Sequence, residues 1–197
     1  MTAAERREQL IEVGRGLFAE RGFDGSAIEE VASRAAVSKP IVYEHFGGKE
    51  GLYTVVVDRE VNLLLSMMRE ALTAGRPREL LEQAAITLLD YIEQHPDGFR
   101  ILVRDSPIGT SASFQSMIGD VATRVEGILA DAFSRHGLDP ATAPMYAQML
   151  VGMVGTTGQW WLDTRQPDRH VVAAHIVNLA WNGLSGLEQQ PELLTRA

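Results

Sequence analysis

The sequence predicts an all-α protein in which three short helices occupy residues 1–50 and longer helices fill residues 51–197. Three observations carry that reading. Apolar residues recur at helical spacing along nearly the whole chain. The segments are bounded by capping residues and by Gly or Pro breakers. No convincing alternating run of strand length interrupts them.

Thr2 and Glu5 have capping-box spacing, and behind them Leu10, Ile11, Gly14, Leu17 and Phe18 share one face of a first helix. Gly22 ends it, and Phe23-Asp24-Gly25 makes a turn. Ser26 and Glu29 repeat the capping-box spacing and open a second helix with Ile28, Val31, Ala32 and Ala35 inward. After the connector Ala36-Val37, Ser38 is the expected N-cap of a third helix. Pro40 lies in its first turn, where a missing N–H costs little, and Gly47-Gly48 stops it.

A much longer helix then runs from Lys49 to about Ala74, until Gly75-Arg76-Pro77. Its Val55-Val56-Val57 run favours strand locally, but the helical period on both sides outweighs that preference. Further helices are expected around Leu81 to Ile92, then over 99–104, 113–136, 141–163 and 169–188.

With 45% hydrophobic and 22% charged residues in 197, the chain can bury a core, which excludes a disordered or collagen-like class. The absence of cysteine excludes disulfides, thiolate metal sites and a cysteine nucleophile. The first residues are polar where a signal peptide needs an apolar run. The most apolar stretch, 149–162, is too short for a bilayer and is broken by Thr156, Thr157 and Gln159. A cytoplasmic protein with no membrane segment is expected.

The formal charge of -8 argues against generic attraction to phosphates. Its distribution matters more. Both lysines, Lys39 and Lys49, fall in one short N-terminal stretch, and residues 52–197 are net negative. An acidic body with locally placed cations resists non-specific nucleic-acid binding while allowing one fitted contact.

The stretch from Ser26 to Phe46 meets the needs of a helix-turn-helix: a capped helix, a tight connector and a second capped helix whose first turn meets base edges in the major groove. Ser38, Lys39, Pro40 and Ile41 are that first turn. Lys39 suits guanine O6 or N7, while Pro40 and Ile41 offer apolar surface to a thymine methyl. Tyr43, His45 and Lys49 suit phosphate or sugar contacts, and Ser26 could donate to a phosphate while capping the second helix. Arg7 is near enough in sequence to reach the flanking backbone, whereas Arg6 and Arg34 read as solvated charges and Phe46 as core.

These residues resemble the TetR family of bacterial regulators: Arg7, Leu10-Ile11, the run 17–23, the run 36–46, and Lys49-Glu50. Ala36 departs from the family's frequent Gly, and Gly48 from its frequent Ser or Thr cap. The resemblance implies an N-terminal DNA-binding domain (1–50) and a variable C-terminal domain (51–197) holding an effector and the dimer contact. By the same analogy the protein is expected to repress, as a homodimer on a palindromic double-stranded operator, until a small, largely apolar effector releases it.

A ligand pocket is expected among Phe99, Leu102, Met117, Val121, Met149, Met153 and Trp160, which combine aromatic bulk with adaptable thioethers. The last two helices are apolar over an arc too wide for one core, which points to a partner subunit. Gly152, Gly155, Ile176, Ala180, Leu184 and Leu187 are the expected interface. The five histidines lack metal-ligand spacing and Ser185 lacks a nucleophile-elbow pattern, so no metal, cofactor or catalytic residue is expected. An all-α carrier or enzyme with a vestigial head is the alternative.

Overall fold

The computed structural model describes residues 1–72, 75–103 and 111–192, and their side chains except at 111–118, 120, 121 and 124. Among them lie nine α-helices and no strand: α1 (Ala3–Arg21), α2 (Ile28–Arg34), α3 (Lys39–Phe46), α4 (Lys49–Ala71), α5 (Pro77–Gln94), α6 (Pro96–Val103), α7 (Ser111–His136), α8 (Ala143–Thr164) and α9 (Arg169–Ser185). A 3-10 turn over Pro140–Thr142 precedes α8. No helix among the described residues is long and apolar enough to cross a membrane.

Several helix ends follow the expected chemistry. Thr2 and Glu5 form both halves of the capping box on α1, and Gly22, Gly47 and Gly137 take positive φ just past α1, α3 and α7. The N-cap of α2 is Ala27, and neither it nor Ser38 at the start of α3 makes a side-chain cap hydrogen bond. Ser26 instead turns inward and donates its hydroxyl to the Gly22 carbonyl at 2.6 Å, tying the turn back onto the end of α1. Ala36 takes φ 54°, the left-handed region that a side chain resists.

The chain packs as two compact units, residues 1–69 with 91–116 and residues 70–90 with 117–197. Packing therefore does not break at residue 50. Leu52, Tyr53, Val56 and Val57 of α4 are buried, and the Tyr53 ring meets Phe18 and Phe23 edge-on at 4.9 and 5.0 Å. On α1, a Cβ at Gly14 would stand 2.9 Å from Leu52 Cδ2, so the glycine is what lets α4 seat this close.

One charge lies deep in the first unit. Glu60 of α4 is 3% exposed. Tyr91 of α5 donates its hydroxyl to Glu60 Oε2 at 2.7 Å, and Arg15 of α1 stands 3.9 Å from Oε1. A Cβ at Gly98 of α6 would fall within 2.0 Å of the same oxygen. Four helices thus meet around one carboxylate, whose desolvation is offset by a neutral donor and a cation. Burial first, and then the Glu60 charge and hydrogen bond, push the Tyr91 phenol up.

In the second unit Leu129 and Phe133 of α7 pack on Ala143 and Ala147 of α8. Trp161 is buried, and its indole N–H donates to the Pro167 carbonyl at 2.7 Å. Arg169, at the start of α9, pairs with Asp90 of α5 at 2.5 Å.

Candidate nucleic-acid interface

α2 and α3 are held as a pair by burial of Ile28, Val31, Ala32 and Val42, with Gln9 of α1 donating to the Ala35 carbonyl at 3.2 Å. The buried Val42 fixes which side of α3 faces inward. Ser38, Lys39, Pro40 and Tyr43 are exposed, and Ile41 and His45 are half-buried. Ser38 sits at the N-cap without a side-chain bond, so its hydroxyl is not spent on the cap. The first turn of α3 and Tyr43 thus form an outward surface carrying a hydroxyl, an ammonium, two apolar groups and a phenol.

Lys39 is not idle on that surface. Its ammonium donates to Glu29 Oε1 of α2 at 2.5 Å and stands 5.5 Å from the centre of the Tyr43 ring. That hydrogen bond holds the Glu29 carboxyl below the usual carboxylate range and the Lys39 ammonium above its own.

Two expected phosphate contacts are reassigned. Ser26 is 4% exposed with its hydroxyl committed to Gly22, so it has no reach to a duplex. Lys49 donates to the carbonyls of Phe23 at 3.0 Å and Ser26 at 3.1 Å, with its ammonium 4.1 Å from the Phe23 ring centre. Its charge braces the turn between α1 and α2 against the start of α4. Spacing alone could not show that the turn's carbonyls point back at Lys49.

Phe46, expected in the core, is half-buried beneath Arg7, whose guanidinium lies 5.1 Å from the ring centre. Arg7 is thereby fixed beside the end of α3. Arg34 pairs with Glu20 at 2.8 Å and Glu30 at 2.9 Å, in keeping with its reading as a helix-surface charge. Arg21 also pairs with Glu30, at 2.6 Å, so these ion pairs brace α1 against α2.

The expected pocket and interface residues separate by unit. Phe99 and Leu102 are buried in the core of the first. Met117 and Val121 lie outside the residues whose side chains are described. Met149 and Trp160 are 56% and 51% exposed on α8, so neither is enclosed within this chain. Met153 and Trp160 instead line a shallow apolar groove of about 310 Å³ between α8 and α9, with Val172, Ile176 and Leu179.

α9 is apolar over a wide arc, part of which is covered within its own chain. Ile176 and Ala180 are 5% and 6% exposed within their own chain, and Leu184 and Leu187 pack on the Leu129–Phe133 cluster. Leu179 and Val171 are the large apolar residues of α9 left outside, at 65% and 43%. Gly152 and Gly155 have nothing within 4 Å of a modest added Cβ. The outward face is therefore Met149, Gly152, Trp160 and Leu179.

Two short helices across a tight connector, the second presenting an unpacked outer face, define a helix-turn-helix head. Residues 10–56 match the family described as bacterial regulatory proteins, tetR family, and residues 77–183 match the tetracyclin repressor-like C-terminal domain. The chain belongs to the tetR family.

The HTH-type transcriptional activator FasR of Mycolicibacterium smegmatis is 33% identical over 184 residues, 92% of this chain and 84% of that protein. The HTH-type transcriptional repressor BepR of Brucella suis is 29% identical over 171 residues, 81% of this chain and 82% of that one. In fold, a TetR-like transcriptional regulator from Rhodococcus sp. RHA1 superposes with a TM-score of 0.77 at 23% identity, covering 95% and 100% of the two chains. The protein is a DNA-binding transcriptional regulator.

Proposed function

We propose that the protein binds a two-fold symmetric operator as a homodimer, with the first turn of α3 from each subunit in successive major grooves. The observation that carries this is the outward first turn of α3, Ser38 to Ile41, on a helix whose inner side is pinned by Val42. Ser38 and Lys39 supply donors to base edges, and Pro40 and Ile41 supply apolar contact. Tyr43 and His45 further along α3, and Arg7 of α1 beside its end, contact the sugar-phosphate backbone.

The second copy covers the outward face of α8 and α9. Leu179, Trp160 and Met149 form an apolar patch there, and Gly152 and Gly155 allow close approach of backbones. An operator overlapping a promoter is then occluded, which is repression. One relative carries the name activator and another repressor, and the same occupancy gives either sign according to where the operator lies.

A small, largely apolar effector that prefers a subunit arrangement with mis-spaced heads releases the operator, because only differential affinity shifts such an equilibrium. The match of residues 77–183 to a tetracyclin repressor-like domain supports an effector. All of this takes place in the cytoplasm.

Leu179→Glu tests the assembly. It should shift the protein from dimer to monomer in sedimentation at micromolar concentration and weaken binding to a selected duplex, while the circular dichroism of the helices is kept. A dimer undisturbed by Leu179→Glu would overturn the assigned face.

A further inference from the structure

Glu29 is placed on the same outward surface as the first turn of α3, because its carboxylate lies 2.5 Å from the Lys39 ammonium. Both side chains are well exposed. The contact therefore reflects neighbouring positions on one surface and not shared burial. A carboxylate here is out of place by simple electrostatics, since a duplex presents phosphates and a groove rich in acceptors. Lys39 also stands near the Tyr43 ring, so the ammonium is held between a carboxylate and an aromatic face.

We propose that Glu29 is a specificity-determining residue: it holds the Lys39 ammonium as an internal counter-ion that only a strong base-edge acceptor displaces. Guanine meets that condition with two adjacent acceptors, O6 and N7, whereas adenine pairs N7 with a donor and thymine offers a single O4. A lone phosphate oxygen must also compete with the carboxylate. The pair thus withholds a cation from random DNA and releases it at the cognate base. Glu29 acts this way only if α3 enters the groove as proposed above, and it acts through Lys39 without needing a base contact of its own.

The test compares wild type, Glu29→Gln, Lys39→Ala and the double variant. Each is titrated against a random-sequence duplex and against the best duplex that wild type selects from a random pool, at several salt concentrations. Glu29→Gln should tighten random-duplex binding about two- to fivefold, the scale of one exposed ion pair. It should also steepen the salt slope by up to about 0.9, one phosphate's worth of counter-ion. Selection with Glu29→Gln should lose its guanine preference at one position.

In the Lys39→Ala background the same change should do almost nothing. Tightening that persists in that background would reduce Glu29 to bulk charge and overturn the inference. So would a Glu29→Gln variant that binds random DNA as wild type does, or that loses affinity for the selected duplex alone. If Lys39→Ala leaves the selected duplex as tightly bound as before, the placement of α3 itself fails, and Glu29 with it.

Discussion

Removing one hydroxyl measures the buried junction of the first unit. Tyr91→Phe keeps the ring that α4, α5 and α6 pack around, so cavity formation is negligible. What it deletes is the 2.7 Å bond from the phenol to Glu60 Oε2. The carboxylate is 3% exposed, and its nearest remaining cation, Arg15, is 3.9 Å away. A hydrogen bond to a charged group contributes about 1.5–3 kcal/mol, and leaving the charge short of a donor keeps the loss in the upper part of that range. With an m-value of about 1–3 kcal/mol/M, the urea midpoint should fall by about 1 M. Far-UV circular dichroism during urea titration reads it. Adding Glu60→Met to Tyr91→Phe should recover part of the loss, because the buried charge goes with its partner. A Tyr91→Phe midpoint equal to wild type, or a double variant less stable than the single, would refute the reasoning.

Other consequences follow from the same structure. The raised Tyr91 phenol favours the folded state below its ordinary value of 10.0, and this contribution is lost as pH climbs above 10. The alkaline fall in stability should therefore be shallower in Tyr91→Phe, read as melting temperature against pH. The lowered carboxyls of Glu8, Glu20 and Glu29 work in the opposite sense, adding stability above their ordinary value of 4.5 that is lost as pH drops below it. Neutralising Glu20 with Gln should soften the acid limb of the same profile. Ala36→Gly should stabilise the head by about 0.5–1 kcal/mol, as relief of the φ 54° conformation exceeds the extra freedom of the unfolded chain, and a lowered melting temperature would count against that. Lys49→Ala should lower stability and weaken selected and random duplexes alike by loosening the turn, with the salt slope unchanged; a flattened slope would return Lys49 to the phosphates.

The helices were legible because their ends carry local chemistry. Thr2 with Glu5, and Gly22, Gly47 and Gly137, fix helix boundaries at or next to where the sequence puts them, and the outward turn of α3 follows from a helical period plus Pro40. Partners across the fold were not legible. Nothing in the order of residues says that the Ser26 hydroxyl turns back to Gly22, or that Lys49 is taken by two carbonyls 23 and 26 residues earlier. α9 shows the same limit. A wide apolar arc announces two buried sides, but which residues meet their own chain depends on where α7 and α8 lie, and Ile176 is covered while Leu179 is left exposed. Spacing alone makes Glu29 half of a capping box, and its proximity to Lys39 emerges only once α2 and α3 are packed.

Selection of bound duplexes from a random pool by the wild-type chain, followed by sequencing, tests the DNA-reading arrangement most directly. Two outward α3 turns related by a two-fold axis should enrich an inverted repeat, with half-sites about one helical turn apart or a multiple of it and guanine at a fixed place in each. Enrichment of a single asymmetric site, or of no sequence at all, would contradict it.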